Sequence, residues 1–142
     1  MQRSIIDTGP VVAFFDSSDY FHKKIHDFFS ANNFILYITW PVITEISYLL
    51  DFNKDTQIDF LKWLESGALQ IVDFSIVDLS HLSEFMVKYK DVPMDLADAS
   101  LMLISDKLDL RKIINLDKDF YIYRKKDGKC LENLLSKFLP QT

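Results

Sequence analysis

The chain has a single cysteine, Cys130, so no internal disulfide can form and the fold must rest on its apolar core. Glycine and proline are scarce, 3 and 4 among 142 residues, which excludes a repetitive or disordered chain. Long hydrophobic runs are missing too. The longest, Phe34 to Ile43, contains Thr39 and Pro41 and is too short to cross a bilayer. Asp7 interrupts the first apolar run before a secretory signal could form. Together these absences predict a soluble protein of the reducing cytoplasm, without membrane contact.

Positive charge is also in short supply. Sixteen Lys and Arg face 21 Asp and Glu, a net charge of −5, which at first argues against a nucleic-acid partner. The deficit is uneven, however. Arg111, Lys112, Lys118, Arg124, Lys125, Lys126 and Lys129 crowd the last quarter of the chain, a density that can follow a phosphate backbone or simply form a solvated face. Arg124, Lys125 and Lys126 are the candidates for RNA contact.

What is present is a globular composition, 49% hydrophobic, on a length suited to one domain spanning 1–142. Short apolar runs alternate with amphipathic segments, the pattern of a parallel sheet covered by helices. Strands are expected at Arg3–Ile6, Phe34–Ile38, Leu69–Phe74 and Lys112–Leu116, with a short edge strand at Tyr121–Arg124. Helices are expected from Pro10, over Asp19–Ala31, from Pro41, over Asp55–Leu64, Ser75–Lys90 and Met94–Leu108, and near Leu131–Phe138 after an Asp127-Gly128 turn. The fold class is α/β with a central, mainly parallel sheet of four to five strands.

Acidic residues punctuate this pattern. Asp7 closes the first strand and Asp117, followed by Asp119, closes the fourth. Asp95 and Asp98 lie three apart, on one face of a helix, and Glu45 interrupts an apolar helix. In open α/β sheets ligands bind beyond the carboxyl ends of the strands, and acids gathered there repel unless a cation joins them. Hard cations such as Mg²⁺ or Mn²⁺ take carboxylate oxygens and can orient a phosphodiester and activate water. Each acid alone has an ordinary reading: Asp7 as a helix cap, Asp95 as a first-turn acid, Asp117 and Asp119 as turn residues, Glu45 as a lysine's partner.

The string Ile5-Ile6-Asp7-Thr8-Gly9-Pro10-Val11-Val12-Ala13 resembles the opening of PIN-domain nucleases. Thr44-Glu45, Asp95-Leu96-Ala97-Asp98-Ala99-Ser100-Leu101 and Leu116-Asp117-Lys118-Asp119-Phe120 are similar to their later motifs, in family order. The group it looks most like includes VapC-like toxins of toxin–antitoxin pairs. The resemblance implies a three-layer α/β/α fold and a Mg²⁺- or Mn²⁺-dependent endoribonuclease that leaves a 5′-phosphate and a 3′-hydroxyl. It assigns catalysis and metal binding to Asp7, Glu45, Asp98 and Asp117, with Asp95, Asp119 and Thr8 in support. Asn115 stands where the family usually has Thr or Ser, and its amide can supply the hydroxyl's hydrogen bond. A degenerate relative that binds RNA or protein without cutting is the alternative.

The remaining residues say less. His22 and His26 have i,i+4 spacing but no third ligand, which reads as a surface pair, and His81 carries no signal. Tyr121 and Tyr123 beside Arg124 are either base-stacking rings or packing residues. Phe14, Phe15, Phe21, Phe28 and Phe29 suggest a partner surface for a second copy, making a homodimer, or for an antitoxin segment. Receiver domains and haloacid-dehalogenase-like phosphatases need further acids close to the first, and Thr8-Gly9 stands there instead.

Overall fold

Gln2–Ile6 (β1) and Phe34–Ile38 (β2) are rich in β-branched and aromatic residues and pair in parallel, Gln2 opposite Phe34 through Ile5 opposite Tyr37. Between them run two helices, Thr8–Phe15 (α1) and His22–Ala31 (α2). Trp40–Leu49 (α3) and Lys54–Glu65 (α4) follow β2, then the two-residue strand Gln70–Ile71 (β3). Leu79–Lys88 (α5) and Leu96–Lys107 (α6) lead to Lys112–Ile114 (β4), and Glu132–Asn133 (β5) completes the sheet. All neighbouring strands are parallel, in the order β3-β2-β1-β4-β5, and the helices cover the sheet in a three-layer α/β/α arrangement. The structure is a computed structural model that describes residues 1–139, the side chain of Asp119 excepted. Among the described residues no helix is long and apolar enough to cross a membrane.

The core is built around α6. Every residue from Ala97 to Ser105 except Asp98 is buried, the signature of a helix enclosed on all sides. Its two serines are satisfied locally: Ser100 Oγ donates to the Ala97 carbonyl at 2.7 Å and Ser105 Oγ to Met102 at 2.7 Å. Ser100 also meets the buried Thr39 hydroxyl at 2.6 Å. Thr39 precedes α3, so this bond ties the helix bearing Glu45 to the helix bearing Asp98.

Several expectations are corrected. No strand forms at 121–124. Lys118–Tyr121 is a 3-10 turn, and the Arg124 N–H donates to the Tyr89 hydroxyl rather than to a neighbouring strand. The stretch from Leu131 is not a helix either. Leu131, Asn133 and Leu135 are buried while the residues between them are not, a period of two that suits β5 and leaves only a 3-10 turn at Ser136–Phe138. The helix expected over 75–90 is present: a capping box between Ser75 and Asp78 starts it as a 3-10 turn, Ile76–Asp78, that leads into α5. The Asp127-Gly128 turn is present, with Gly128 at φ 84°.

The phenylalanines near the N-terminus do not form an open surface. Phe14, Phe15, Phe21, Phe28 and Phe29 are half-buried against the core, with Phe14 stacked on Trp63 at 5.4 Å and on His26 at 4.8 Å. The exposed large apolar side chains lie elsewhere, Tyr48, Phe52 and Leu61 on and between α3 and α4 among them.

Ser100→Ala leaves the buried Thr39 hydroxyl without its acceptor and is expected to cost about 1–3 kcal/mol. The double variant with Thr39→Val should cost less than the two single losses added. Urea unfolding of all four proteins measures both.

Candidate functional site

From β1 the chain builds outward to β2 and β3, then returns to place β4 and β5 on the other side. The order therefore reverses between β1 and β4, and beyond such a switch point an open α/β sheet forms its crevice. Ile5 pairs with Ile113 and Ile6 with Ile114, so Asp7 and the Asn115–Asp117 segment leave the sheet at the same edge. The Asp7 N–H donates to the Ile114 carbonyl at 3.1 Å, extending the pairing one step into the site. Asp7 is buried and Asp117 exposed. Glu45 comes from α3, half-buried, and Asp98 from the first turn of α6.

Asp7 occupies the cap position of α1, yet its side chain makes no cap hydrogen bond. Asp95 does cap: its carboxylate accepts the Asp98 N–H at 2.8 Å. Of the ordinary readings, capping thus applies to Asp95 and not to Asp7. Asp95 and Asp98 are brought together at one helix end.

The electrostatics show how closely the acids interact. Burial, with the charges of Asp98, Glu45 and Asp117, pushes the Asp7 carboxyl up to about 7, although a hydrogen bond from the Thr8 backbone opposes this. Burial first and Asp95 next push Asp98 up to about 7 as well, against the pull of a hydrogen bond from Tyr123. Glu45 is raised by burial and by Asp95. The charges that raise these three carboxyls are those of other acids, Asp95 and Asp117 among them. Among the described residues no Lys, Arg or His pairs with Asp7, Glu45, Asp95 or Asp98. The Thr8 hydroxyl is buried without a hydrogen bond of normal geometry, and it faces Glu45 closely enough to lower that carboxyl's proton affinity.

A divalent cation fits this donor set, which is all hard oxygen with uncompensated charge. The arrangement is open: among the described residues no three acids, histidines or cysteines close on one point.

Two residues have positioning roles that the sequence did not show. Tyr123 is fully buried, packed edge-on against Phe120 and Tyr89, and its hydroxyl donates to Asp98 Oδ2 at 3.0 Å. Asn133 on β5 accepts the Asn115 N–H at 3.2 Å and donates to the Asn115 carbonyl at 2.9 Å. Asn115 in turn accepts the Asp117 N–H at 2.9 Å, and its amide donates back to the Asp117 carbonyl. Only the fold brings these pairs together, 25 and 18 residues apart.

Other candidates are relocated. Lys125 is buried, its ammonium donating to the carbonyls of Ser105 at 3.0 Å and Leu110 at 2.8 Å, so it holds the loop to α6 and does not face a phosphate. Tyr123 is too deep to stack on a base. Arg124 is half-buried with its guanidinium on the carbonyls of Tyr121 and Tyr123, while the Lys126 side chain is exposed. His22 Nδ1 donates to the Ala13 carbonyl at 2.7 Å, and His81 lies 3.2 Å from Asp106. The side chain of Asp119 lies outside the described residues.

Residues 4–126 match the PIN domain family. A curated relative, the ribonuclease VapC26 of Mycobacterium tuberculosis, is 25% identical over 116 residues, covering 80% of this chain and 86% of that protein. The crystal structure of VapC20 from the same organism, described as a sarcin–ricin-loop-cleaving toxin, superimposes with a TM-score of 0.76 at 15% identity, covering 83% of this chain and 92% of that one. VapBC2 of Rickettsia felis, solved bound to a DNA fragment from its promoter, gives 0.64 at 16% identity, covering 93% and 98%.

Because Asp7 and Asp98 bind protons more tightly folded than unfolded, unfolding releases protons between their ordinary value of 3.8 and about 7. The stability they contribute is full below that window and lost as pH rises through it. Asp78 and Asp127 are shifted the other way, and what they contribute is lost only below the ordinary range. The metal-free protein should therefore melt at lower temperature at pH 7.5 than at pH 5 in EDTA, and a midpoint rising over that span would contradict the burial of these acids. Tyr123→Phe removes a bond to a carboxylate, so it should cost about 1–3 kcal/mol at pH 8 and less at pH 5, where Asp98 is protonated. Urea unfolding at the two pH values separates the cases.

Proposed function

The chain belongs to the PIN-domain family, and from that premise we propose that it is a Mg²⁺- or Mn²⁺-dependent endoribonuclease, a VapC-like toxin of a toxin–antitoxin pair. The observation that carries this reading is the buried Asp7 carboxyl at the β1–β4 crevice, raised by burial and by the charges of Asp98, Glu45 and Asp117. The names of the ribonuclease and toxin relatives point the same way.

Asp7, Glu45, Asp98 and Asp117 would hold the ion. Bound there, it would neutralise the cluster, polarise the phosphodiester and make water a stronger nucleophile. The chain's own residues prepare that site. Asp95 caps α6 and so fixes the turn that carries Asp98. Tyr123 donates to one oxygen of Asp98, which leaves the other for a ligand. Asn115, held by Asn133, clasps the backbone of Asp117 and does the work a Thr or Ser hydroxyl does in most of the family. Thr8, buried beside Glu45, has a hydroxyl to offer a water or the substrate. Asp119 is assigned a supporting role with them. Of the three basic candidates after Tyr123, Lys125 is buried, so Arg124 and Lys126 would be the ones to meet RNA phosphates flanking the scissile bond. Water attacks the phosphorus and the 3′-oxygen leaves, giving a 5′-phosphate and a 3′-hydroxyl. The partners implied are RNA, a cognate antitoxin and a second copy of the chain.

The test is cleavage of a mixed single-stranded RNA pool with Mn²⁺, with and without excess EDTA, by the wild type and by Asp98→Asn and Asp7→Asn. The wild type should cut only with metal, and each variant should lose at least about a hundredfold, as removal of a metal ligand or its close support does. RNA that is bound but never cut, by wild type and variants alike, would replace the nuclease with a binding module.

A further inference from the structure

Next to the acids runs a groove of about 830 Å³ between the start of α3 and the start of α6. Glu45 and Asp95 form part of its wall, so whatever sits in it touches the acidic cluster. The rest is apolar and aromatic, with Trp40, Tyr48, Phe74 and Leu96. Trp40 and Tyr48 lie eight residues apart on α3, on one face, and are 52% and 71% exposed. Exposed rings of this size, two turns apart on one helix and adjoining the carboxyls of Glu45 and Asp95, are not needed by the core.

The rings are held rather than loose. The Trp40 indole N–H donates to Asp73 Oδ1 at 3.1 Å, which fixes the plane of the ring at the rim. Between the two aromatics, the Thr44 hydroxyl donates to the Trp40 carbonyl at 3.0 Å. The Trp40 indole N–H and the Thr44 hydroxyl are thus already engaged. The groove offers flat aromatic faces beside the carboxylates of Glu45 and Asp95.

We propose that this groove is a stacking subsite for one unpaired nucleobase of the RNA, next to the phosphodiester that is cut; this rests on the ribonuclease reading. A neutral flat ring suits the rings of Trp40 and Tyr48. The carboxylates of Glu45 and Asp95 repel a phosphate, which keeps the sugar-phosphate chain out of the groove and at the cluster where a cation would receive it. Since stacking uses the π-face that every base has, the subsite requires an unpaired nucleotide and accepts any of the four bases. It would hold the backbone in register over the acids and bar duplex substrates.

The experiment measures kcat/KM in Mn²⁺ on a short single-stranded RNA and on versions with one base removed, the abasic position being moved along the strand. Trp40→Ala and Tyr48→Ala should each lower kcat/KM roughly tenfold or more, with Trp40→Phe close to wild type. On the substrate whose missing base is the stacked one, wild type and Trp40→Ala should become equal. Tyr48 is the more exposed of the two, so its variant serves if Trp40→Ala fails to fold. A binding readout is independent of turnover: in a Trp63→Phe background the remaining indole, Trp40, should be quenched by the same RNA in EDTA. Folded Trp40→Ala and Tyr48→Ala proteins that cut like wild type, with Trp40 fluorescence unmoved by RNA, would overturn the subsite and leave the nuclease standing. A groove made for a peptide gives that same pattern. Absence of any RNA cleavage by the wild type would instead remove the nuclease reading, and the subsite with it.

Discussion

Ile5 and Ile6 lie beside Ile113 and Ile114 in parallel register, and the rest of the acidic site depends on that pairing. Parallel neighbours end at the same edge of a sheet, so residues more than a hundred positions apart leave it together. The chain has already built β2 and β3 on the far side of β1, which makes the β1–β4 junction the place where the connections diverge and a crevice opens. Helices α3 and α6 then descend on the same end, coupled by the buried Thr39–Ser100 bond. A one-residue slip of β4 would turn Ile113 and Ile114 to the wrong faces and carry Asp117 away with them.

The site is assembled against its own electrostatics. Asp7 and Asp98 are partly or wholly withdrawn from water beside other acids, and both hold their protons up to about neutral pH. A domain keeps such a cluster only if the surrounding structure is stable enough to enforce it. Here the enforcement comes from the enclosed helix α6 and from two polar devices at the rim. Tyr123 steadies Asp98 from a loop, and Asn133 steadies the Asn115–Asp117 turn from the edge strand. The loop carrying Tyr123 is itself fixed by Lys125, whose ammonium is spent on carbonyls near the end of α6.

Much of this could be read from the sequence where the signal was local. Ile5-Ile6-Asp7 is a strand ending in an acid, Asp95 and Asp98 share a helix turn, and the β2 residues 34–38 alternate poorly but are strongly β-forming. What was missed depends on distant partners. Leu131–Leu135 has too few residues to display its two-residue period, and only its fit beside β4 makes it a strand. Lys125 looks like its basic neighbours until the loop folds it under α6. The N-terminal phenylalanines looked surplus because the sequence does not show that Trp63 and His26 stack on Phe14. Tyr123 and Asn133 have no motif at all; their roles consist of hydrogen bonds between segments.

The groove lined by Trp40 and Tyr48 sets aromatic faces directly beside the acids Glu45 and Asp95, and on the proposed reading that division would place an unpaired strand. A bound cation is where the two halves of that proposal converge. The most direct measurement is therefore thermal unfolding of wild type and Asp98→Asn with and without Mn²⁺. A crowded, cation-binding cluster predicts that Mn²⁺ raises the wild-type midpoint, and that the variant starts higher without metal and gains little from it. Midpoints unmoved by Mn²⁺ in both proteins, with the metal-free variant less stable than wild type, would contradict it.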